Sequence, residues 1–554
     1  MDMFRDETEA TKRKAKNKVA ATIEKTGKSN APELSGKTAL LYQAAAHHVA
    51  SIAASIQPSF QNRAANDFIK NFVIVPPQGS NSEGYMDFLI PLLEAERVPP
   101  HLKNAFDACA LAFFCNRART NTVWSVEALR KYSKALSTAS TALQDPKVAT
   151  EDATLVSLLL LGLFEHIMAC ENGFISWAYH TEGAIRLVKA RGPSQFRTRT
   201  GVAIFTAVRT QKIIHSISMS KTPEIDDGWW MRSSVGEQYA SECQRLSIDL
   251  GELRAEIFDL VTTCVRSAEH SQTALDLMKR CHAHDLAFAN LAKALPTYFH
   301  ATEVGWGDRV SAEGLKHAAV FPGRVDLYRD LWVCSVWNML RCSRIILNCL
   351  ITRCTAWLSH PLDYRTTREY TTAVSISRSN VNDIIASIPY QIRQTSKLKD
   401  LFGQDDLPLN AGVITSGPPR ALGGYLAAWP LALVQNLDYT TDFERKWAQG
   451  RLEYIGSRLG VRYAHAINQP DIRIPSMLVR RDSMVAERLR RAQEVRHSRS
   501  SVALRTEGAE TVSIQRKAIM QRNGDGTGCD LLTQVMGTAK PLEGWVAKTW
   551  LQIP

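Results

Sequence analysis

Residues 151–196 read EDATLVSLLLLGLFEHIMACENGFISWAYHTEGAIRLVKARGPSQF, and the two halves of this stretch imply different helices. Residues 153–168 are apolar almost all round, the pattern of a helix enclosed by other helices. The most apolar part, Leu155 to Phe164, is too short to cross a membrane, which takes ~20 residues, and it is stopped by Glu165 and His166. Residues 174–191 carry Trp177, His180, Ala184, Leu187 and Arg191 at alternating spacings of three and four, which places them on one helix face. Ser176 is the expected N-cap, Gly183 and Ala184 form a low-relief surface for close approach, and Gly192-Pro193 is the expected stop. With Glu171-Asn172-Gly173 as the turn, the stretch predicts an antiparallel helical hairpin at the centre of an all-α protein.

Outward from this hairpin the same period continues. Helices are predicted over 37–56, 61–73, 84–95, 99–117, 122–143, 149–170, 174–191, 198–219, 235–267, 271–293, 325–358, 365–387 and 441–467, separated by helix-ending sequence such as Pro99-Pro100, Asp145-Pro146 and Gly417-Pro418-Pro419. Period-two alternation is almost absent and no repeat of fixed length recurs, so the expected architecture is an irregular antiparallel helical array. Residues 392–424 are expected as a long loop. Three regions follow: a basic arm over 1–36, a helical body over 37–470, and an Arg-rich, largely disordered tail over 471–554.

The 554 residues carry 67 Lys and Arg against 55 Asp and Glu, a net charge of +12. Position decides what this charge means. Met1–Lys28 has eight bases against five acids, or +3, and Arg480–Arg499 has seven against three, or +4; the remainder is +5. The long middle is therefore close to balanced and is no nucleic-acid groove. Eleven cysteines with no apolar leader before them are too dilute for a disulfide framework.

Between Asn71 and Phe196 the chain reads NFVIVPP, GYMDFLIPLL, HLKNAFDACALAFF, KYSKALSTASTALQDP, EDATLVSLLLLGLFEHI and SWAYHTEGAIRLVKARGPSQF, followed by IFTAVRTQKIIHSIS at 204–218. In order and spacing this resembles the regulatory, middle homology region of fungal zinc binuclear cluster transcription factors. GGYLAAWPLALV at 423–434 and FERKWAQGRLEYIGSRLGVRYA at 443–464 are similar to that family's closing helices, so the resemblance covers roughly residues 60–470. It implies a nuclear regulator of transcription whose helical region works through partner or effector contacts, with Glu165, Trp177, His180, Gly183, Ala184, Arg191 and Gly192 as structural motif residues.

One part of the family pattern is missing. Its DNA-reading module holds two zinc ions on six cysteines in C-x-x-C pairs, and this chain has no C-x-x-C. Cys334, Cys342, Cys349 and Cys354 lie at helical spacings among Trp and Leu, as core thiols do. No cofactor is expected here; zinc would belong only to an upstream six-cysteine cluster. FRDETEATKRKAKNK at 4–18 resembles the basic linker that follows such a cluster, which leaves two readings: an upstream exon carries the cysteines, or the protein is a paralogue that works without direct DNA contact. Lys12, Arg13, Lys14, Lys16 and Lys18 have the composition of a nuclear-localisation patch, with a solvated charged arm as the competing reading.

Other chemistry finds little support. Glu165-His166 lacks the second histidine of H-E-x-x-H, and Glu165 is expected to pair with Arg186 or Arg191. His180 reads as a core histidine bonded to a neighbouring helix. His282 and His284 point about 200° apart on a helix and cannot chelate one ion. There is no Walker loop, G-x-S-x-G or strand-linked GxGxxG, so an enzyme is not expected. The leading expectation is a nuclear transcription regulator, controlling a secondary-metabolite or other metabolic gene cluster. It would act with a protein partner or as a homodimer, reach promoter DNA only indirectly or through the missing module, and engage no membrane. The competing expectation is a helical interaction module that heterodimerises with or represses intact family members. A pocket for an apolar small-molecule effector between the hairpin at 153–191 and the helix at 325–358, near Trp332 and Trp337, is a further extension, with core packing as the default reading of those residues.

Overall fold

From Ala153 to Ile167 every residue except Leu159 is buried, so the continuous apolar run does form an enclosed helix. Its two hydroxyls are satisfied locally: Ser157 Oγ donates to the Ala153 carbonyl at 2.6 Å and Thr154 Oγ1 to that of Val148 at 2.7 Å. An enclosed helix can therefore carry them without the cost of an unpaired polar group. The computed structural model describes residues 59–76, 84–118, 122–169, 173–219, 238–306, 311, 313–393, 421–468 and 473–503. The basic arm over 1–36, the helix predicted at 37–56 and the tail beyond 503 lie outside the described residues.

Among these residues there are sixteen α-helices. The first half contains α1 (Phe60–Phe72), the short α2 (Leu89–Leu93), α3 (Pro100–Ala118), α4 (Thr122–Gln144), the single turn α5 (Pro146–Ala149), the enclosed α6 (Asp152–Met168), α7 (Gly173–Arg191), α8 (Arg199–Met219), α9 (Gln238–Thr263) and α10 (Ala268–Ala294). A two-stranded ribbon follows, in which β1 (Thr302–Trp306) pairs antiparallel with β2 (Arg324–Leu327), Thr302 opposite Leu327. The second half contains α11 (Leu331–Ser359), α12 (Arg368–Gln391), α13 (Ala421–Asn436), α14 (Asp442–Arg458), α15 (Tyr463–Ala466) and α16 (Ser476–Ala503). Chain neighbours pack as pairs, α3 on α4, α6 on α7, α11 on α12 and α13 on α14, which is the all-α array expected. α6 is held between α3 and the α4–α7 side, and α11 between α9, α10 and α12.

Several predicted boundaries are corrected. The helix predicted over 325–358 is β2 followed by α11, which starts only where the Asp330 carboxylate accepts the Val333 N–H at 2.8 Å; a short apolar run such as Val325–Leu327 fits strand and helix alike. The helix predicted over 441–467 divides because Gly460 takes φ +79°. Of the helix predicted over 84–95, only Leu89–Leu93 is helical, since Tyr85 bridges to Ile74 instead. The loop expected through 424 gives way to α13 at Ala421. Here Gly423 is required by contact: a Cβ there would collide with the Gln391 carbonyl at the end of α12.

The tail is corrected as well. Residues 476–503 form α16, and its first half docks on the body. Leu478 is buried, and buried Asp482 accepts from Arg353 Nε on α11 at 2.7 Å and from Arg481 at 3.3 Å. The Arg353 and Arg481 guanidiniums flank the Phe258 ring at 5.9 and 5.3 Å. A composition rich in arginine conceals these anchors, because the buried acid and apolar residue are few and one of the arginines is itself packed against the body.

The four cysteines of α11 are buried, and burial pushes the thiols of Cys334, Cys349 and Cys354 up to about 12 and that of Cys342 further, so they stay protonated and pack as apolar groups. Gly423→Ala is expected to lower unfolding stability by about 1–3 kcal/mol through overpacking. Asp482→Asn is expected to cost about 3 kcal/mol by leaving Arg353 buried without its countercharge. Chemical denaturation measures both, and limited proteolysis of Asp482→Asn is expected to cut within α16.

Candidate functional site

α6 ends at Ala169, a residue in the left-handed conformation at φ +48° whose N–H returns to the Glu165 carbonyl at 2.8 Å. α7 then runs back along α6, beginning at Gly173. Ser176, the N-cap expected from sequence, is therefore inside the helix, and of the predicted turn Gly173 begins α7 while Glu171 and Asn172 lie outside the described residues. Trp177, His180, Gly183 and Ala184 are buried and Leu187 and Arg191 are half-buried. Gly192, at φ +67°, ends the helix.

The close approach is made on α6. A Cβ at Gly162 would lie 3.2 Å from Trp177 Cδ1, so the indole rests on the one α6 position without a side chain. Its Nε1–H donates to Gln211 Oε1 on α8 at 2.9 Å. One turn away, the His166 ring stands among aromatic rings, with centroids 4.3 Å from Tyr463, 5.2 Å from Trp177 and 5.6 Å from Tyr425. His166 Nδ1 is 3.1 Å from the Tyr425 hydroxyl on α13. On the other side of Trp177, His180 Nε2 is 3.1 Å from the Tyr132 hydroxyl on α4.

Glu165 corrects the sequence reading. Its carboxylate accepts the Tyr132 hydroxyl proton, whereas Arg186 pairs with Glu182 at 2.7 Å and Arg191 with Asp152 at 2.6 Å. Arg186 is exposed and Arg191 lies beside the start of α6, so neither reaches the buried side of its last turn. Burial raises the Glu165 pKa, and the Tyr132 bond opposes that shift. Burial lowers His166 to about 3 and His180 to about 4; His215 falls to about 4 by burial, with Lys212 adding to it. All three imidazoles are neutral near pH 7.

His166, Trp177, His180, Gln211, Tyr425 and Tyr463 line a cavity of about 330 Å³. α6 contributes Leu158, Gly162 and His166, α7 Trp177 and His180, α8 Thr210 and Gln211, and α9 Ser241 and Gln244. α11 closes it with Trp332, Ser335 and Met339, α13 with Tyr425 and Trp429, and α15 with Tyr463. At its edge exposed Arg199 faces Asp87 at 3.5 Å. The volume, largely apolar lining and few convergent polar groups are those of a small-molecule site.

The cavity lies between the hairpin and the helix named from sequence, and Trp332 lines it. Trp337 does not: its indole N–H donates to the Phe299 carbonyl at 2.8 Å and its ring lies under Arg341 at 5.2 Å. The α11 cysteines also lie outside the lining; Cys243 of α9 is the cysteine that reaches it. Gln211, Tyr425 and Tyr463 were not legible as site residues, since no spacing links Tyr425 to His166 259 positions away. His282 is exposed and His284 half-buried, and among the described residues no group of three or more His, Cys, Asp or Glu is placed to hold a metal. No described helix is long and apolar enough to cross a membrane. Lys12, Arg13, Lys14, Lys16 and Lys18 lie outside the described residues.

Comparison with known proteins bears on this helical architecture. Residues 64–289 match the fungal specific transcription factor domain, so α6 to α9 and their share of the cavity fall within that domain. Over 395 residues, 71% of this chain and 88% of the relative, the sequence is 25% identical to Transcription factor dbaG of Emericella nidulans. No solved structure matches. Over residues 64–289 the chain is thus similar to the fungal specific transcription factor domain, and its similarity to a transcription factor supports a regulator of transcription.

The lowered histidines make stability depend on pH with a definite sign. Unfolded histidine takes up a proton below about pH 6.5, while folded His166, His180 and His215 do so only near pH 3 to 4. Their contribution is whole above pH 6.5 and is lost as pH falls toward the folded values. Each histidine accounts for about 1.4 kcal/mol per pH unit in that window, and Glu165, raised by burial, opposes with at most one proton. Urea midpoints between pH 7 and pH 5 are expected to fall, and His215→Phe to flatten the slope by close to one proton.

Proposed function

We propose that this protein is a nuclear regulator of transcription for a metabolic gene cluster, and that its helical body is a regulatory unit read through an effector in the α6–α7 cavity. The observation that carries the effector reading is the composition of the cavity wall. α6 to α9 belong to the matched transcription factor domain, while α11, α13 and α15 come from the chain beyond residue 289. A molecule filling the cavity touches both sets at once, and so stabilises the arrangement in which they are packed together. The contacts offered to a protein partner or a second copy then depend on occupancy. The similarity to Transcription factor dbaG supports the regulatory role. The basic residues Lys12 to Lys18 supply the nuclear address.

In the native host, a fluorescently tagged chain is expected in the nucleus, and alanine at Lys12, Arg13, Lys14, Lys16 and Lys18 is expected to shift it toward the cytoplasm. Deletion is expected to change transcripts of a contiguous set of metabolic genes in concert. A cytoplasmic wild-type protein, together with an unchanged transcriptome, would refute the assignment.

A further inference from the structure

Three large apolar side chains stand exposed along α4: Val123 and Val126, each 63% exposed, and Leu129, 43% exposed. One such residue on a surface is ordinary, but a row on one helix marks a contact face. α4 packs on α3, and its buried alanines, Ala128, Ala135 and Ala142, recur every seven residues. About a third of a turn round the helix from them, Val126, Leu129, Ser133, Leu136, Ser140 and Leu143 follow one another at spacings of three and four. That is a second packing seam. Val126, Leu129 and Ser133 are exposed and the other three half-buried, so no described helix covers it.

The second half of the seam opens into a groove. Leu136, Ser140 and Leu143 form one wall and Gly183 and Leu187 of α7 the other, over buried Leu158 and Leu161 of α6. Its volume of about 80 Å³ lies far below the ~300–1,000 Å³ of small-molecule sites and suits an apolar side chain reaching in from above. An exposed apolar ridge continuing into such a groove is a surface on which an amphipathic helix lays residues i, i+3, i+4 and i+7.

Charge decides which helix fits. The edge of the seam away from α7 carries Arg130, Lys131 and Lys134. Arg130 bonds Glu127 at 2.6 Å, Lys131 and Lys103 of α3 share Asp107 at 3.0 and 2.5 Å, and Lys134 is exposed. Four bases against two acids leave +2 beside an uncharged seam. On the α7 side Arg186 is held by Glu182 at 2.7 Å. A second copy laid on the seam through its own α4 would bring the same positive excess with it, whereas a helix with carboxylates along one flank is attracted.

We propose that the α4–α7 groove docks an amphipathic helix of another protein, one with large apolar residues at spacings of three and four and glutamate or aspartate beside them. The docking needs no occupant in the effector cavity.

Fluorescence anisotropy of the full chain with three labelled peptides tests this: AELEALLAELEALLAE, the same peptide with every glutamate replaced by lysine, and a glutamate peptide of the same composition with its leucines scattered round the helix. The first is expected to bind tightest. The lysine peptide is expected to bind roughly tenfold weaker at low salt, with the gap narrowing as salt rises to about 0.5 M. The scattered peptide is expected not to bind, and since it has the same charge as the first, the basic arm and the Arg-rich stretch cannot produce that difference. Leu129 and Lys134 are exposed, so their variants keep the fold: Leu129→Ser is expected to weaken both leucine-striped peptides, and Lys134→Glu to remove most of the preference for glutamate. Equal binding of the glutamate and lysine peptides, or binding untouched by either variant, would overturn the proposal. So would no peptide binding together with a dimer by sedimentation that Leu129→Ser dissociates, since a second copy would then cover the seam, and so would no binding by a monomer.

Discussion

The close approach of the Trp177 indole to Gly162 is the contact on which the rest of the site depends. α6 is enclosed by other helices, and the missing side chain at Gly162 leaves room for the Trp177 indole. Seating Trp177 there sets the register of α7, which puts His180 beside Tyr132 and sends the indole N–H to Gln211. His166 in turn bonds the hydroxyl of Tyr425, the contribution of α13. A small residue on one helix thus organises polar groups from five helices around a space that the aromatic rings do not fill.

That space joins two parts of the chain that different evidence describes. The matched transcription factor domain ends at residue 289, inside α10, yet its central hairpin is not closed without α11, α13 and α15. The closing helices approach as tightly as the hairpin does, with Gly423 on the end of α12 and Asn116 of α3 bonding both the end of α6 and the Gly460 carbonyl, at 2.8 and 3.1 Å. A domain whose central cavity is walled by its own helices and by a later segment is suited to turning occupancy into a change of packing.

Much of the fold was legible because α6 and α7 have unambiguous periods, and a buried hairpin between helix-ending turns has few other solutions. The half of the cavity formed by the hairpin and α11 was legible on the same grounds. What escaped was set by tertiary contact. Glu165 found a neutral tyrosine on α4 rather than an arginine on the adjoining helix, because opposite charge in sequence proximity says nothing about which face is buried. α16 was hidden by its arginines, since Asp482 and Leu478 are its anchors. The β-ribbon was hidden because Val325–Leu327 runs directly into a helix. Trp337 reads like Trp332 in sequence, and only the Phe299 carbonyl and Arg341 separate their roles.

Hydrogen–deuterium exchange of the full chain with and without an uncharged aromatic probe, 2-naphthol, tests the central claim, that one small molecule ties the hairpin to the closing helices. The account predicts slowed exchange together in 153–168, 173–191 and 421–436. Exchange unchanged in these segments at saturating probe, or slowed in the hairpin alone, would contradict it.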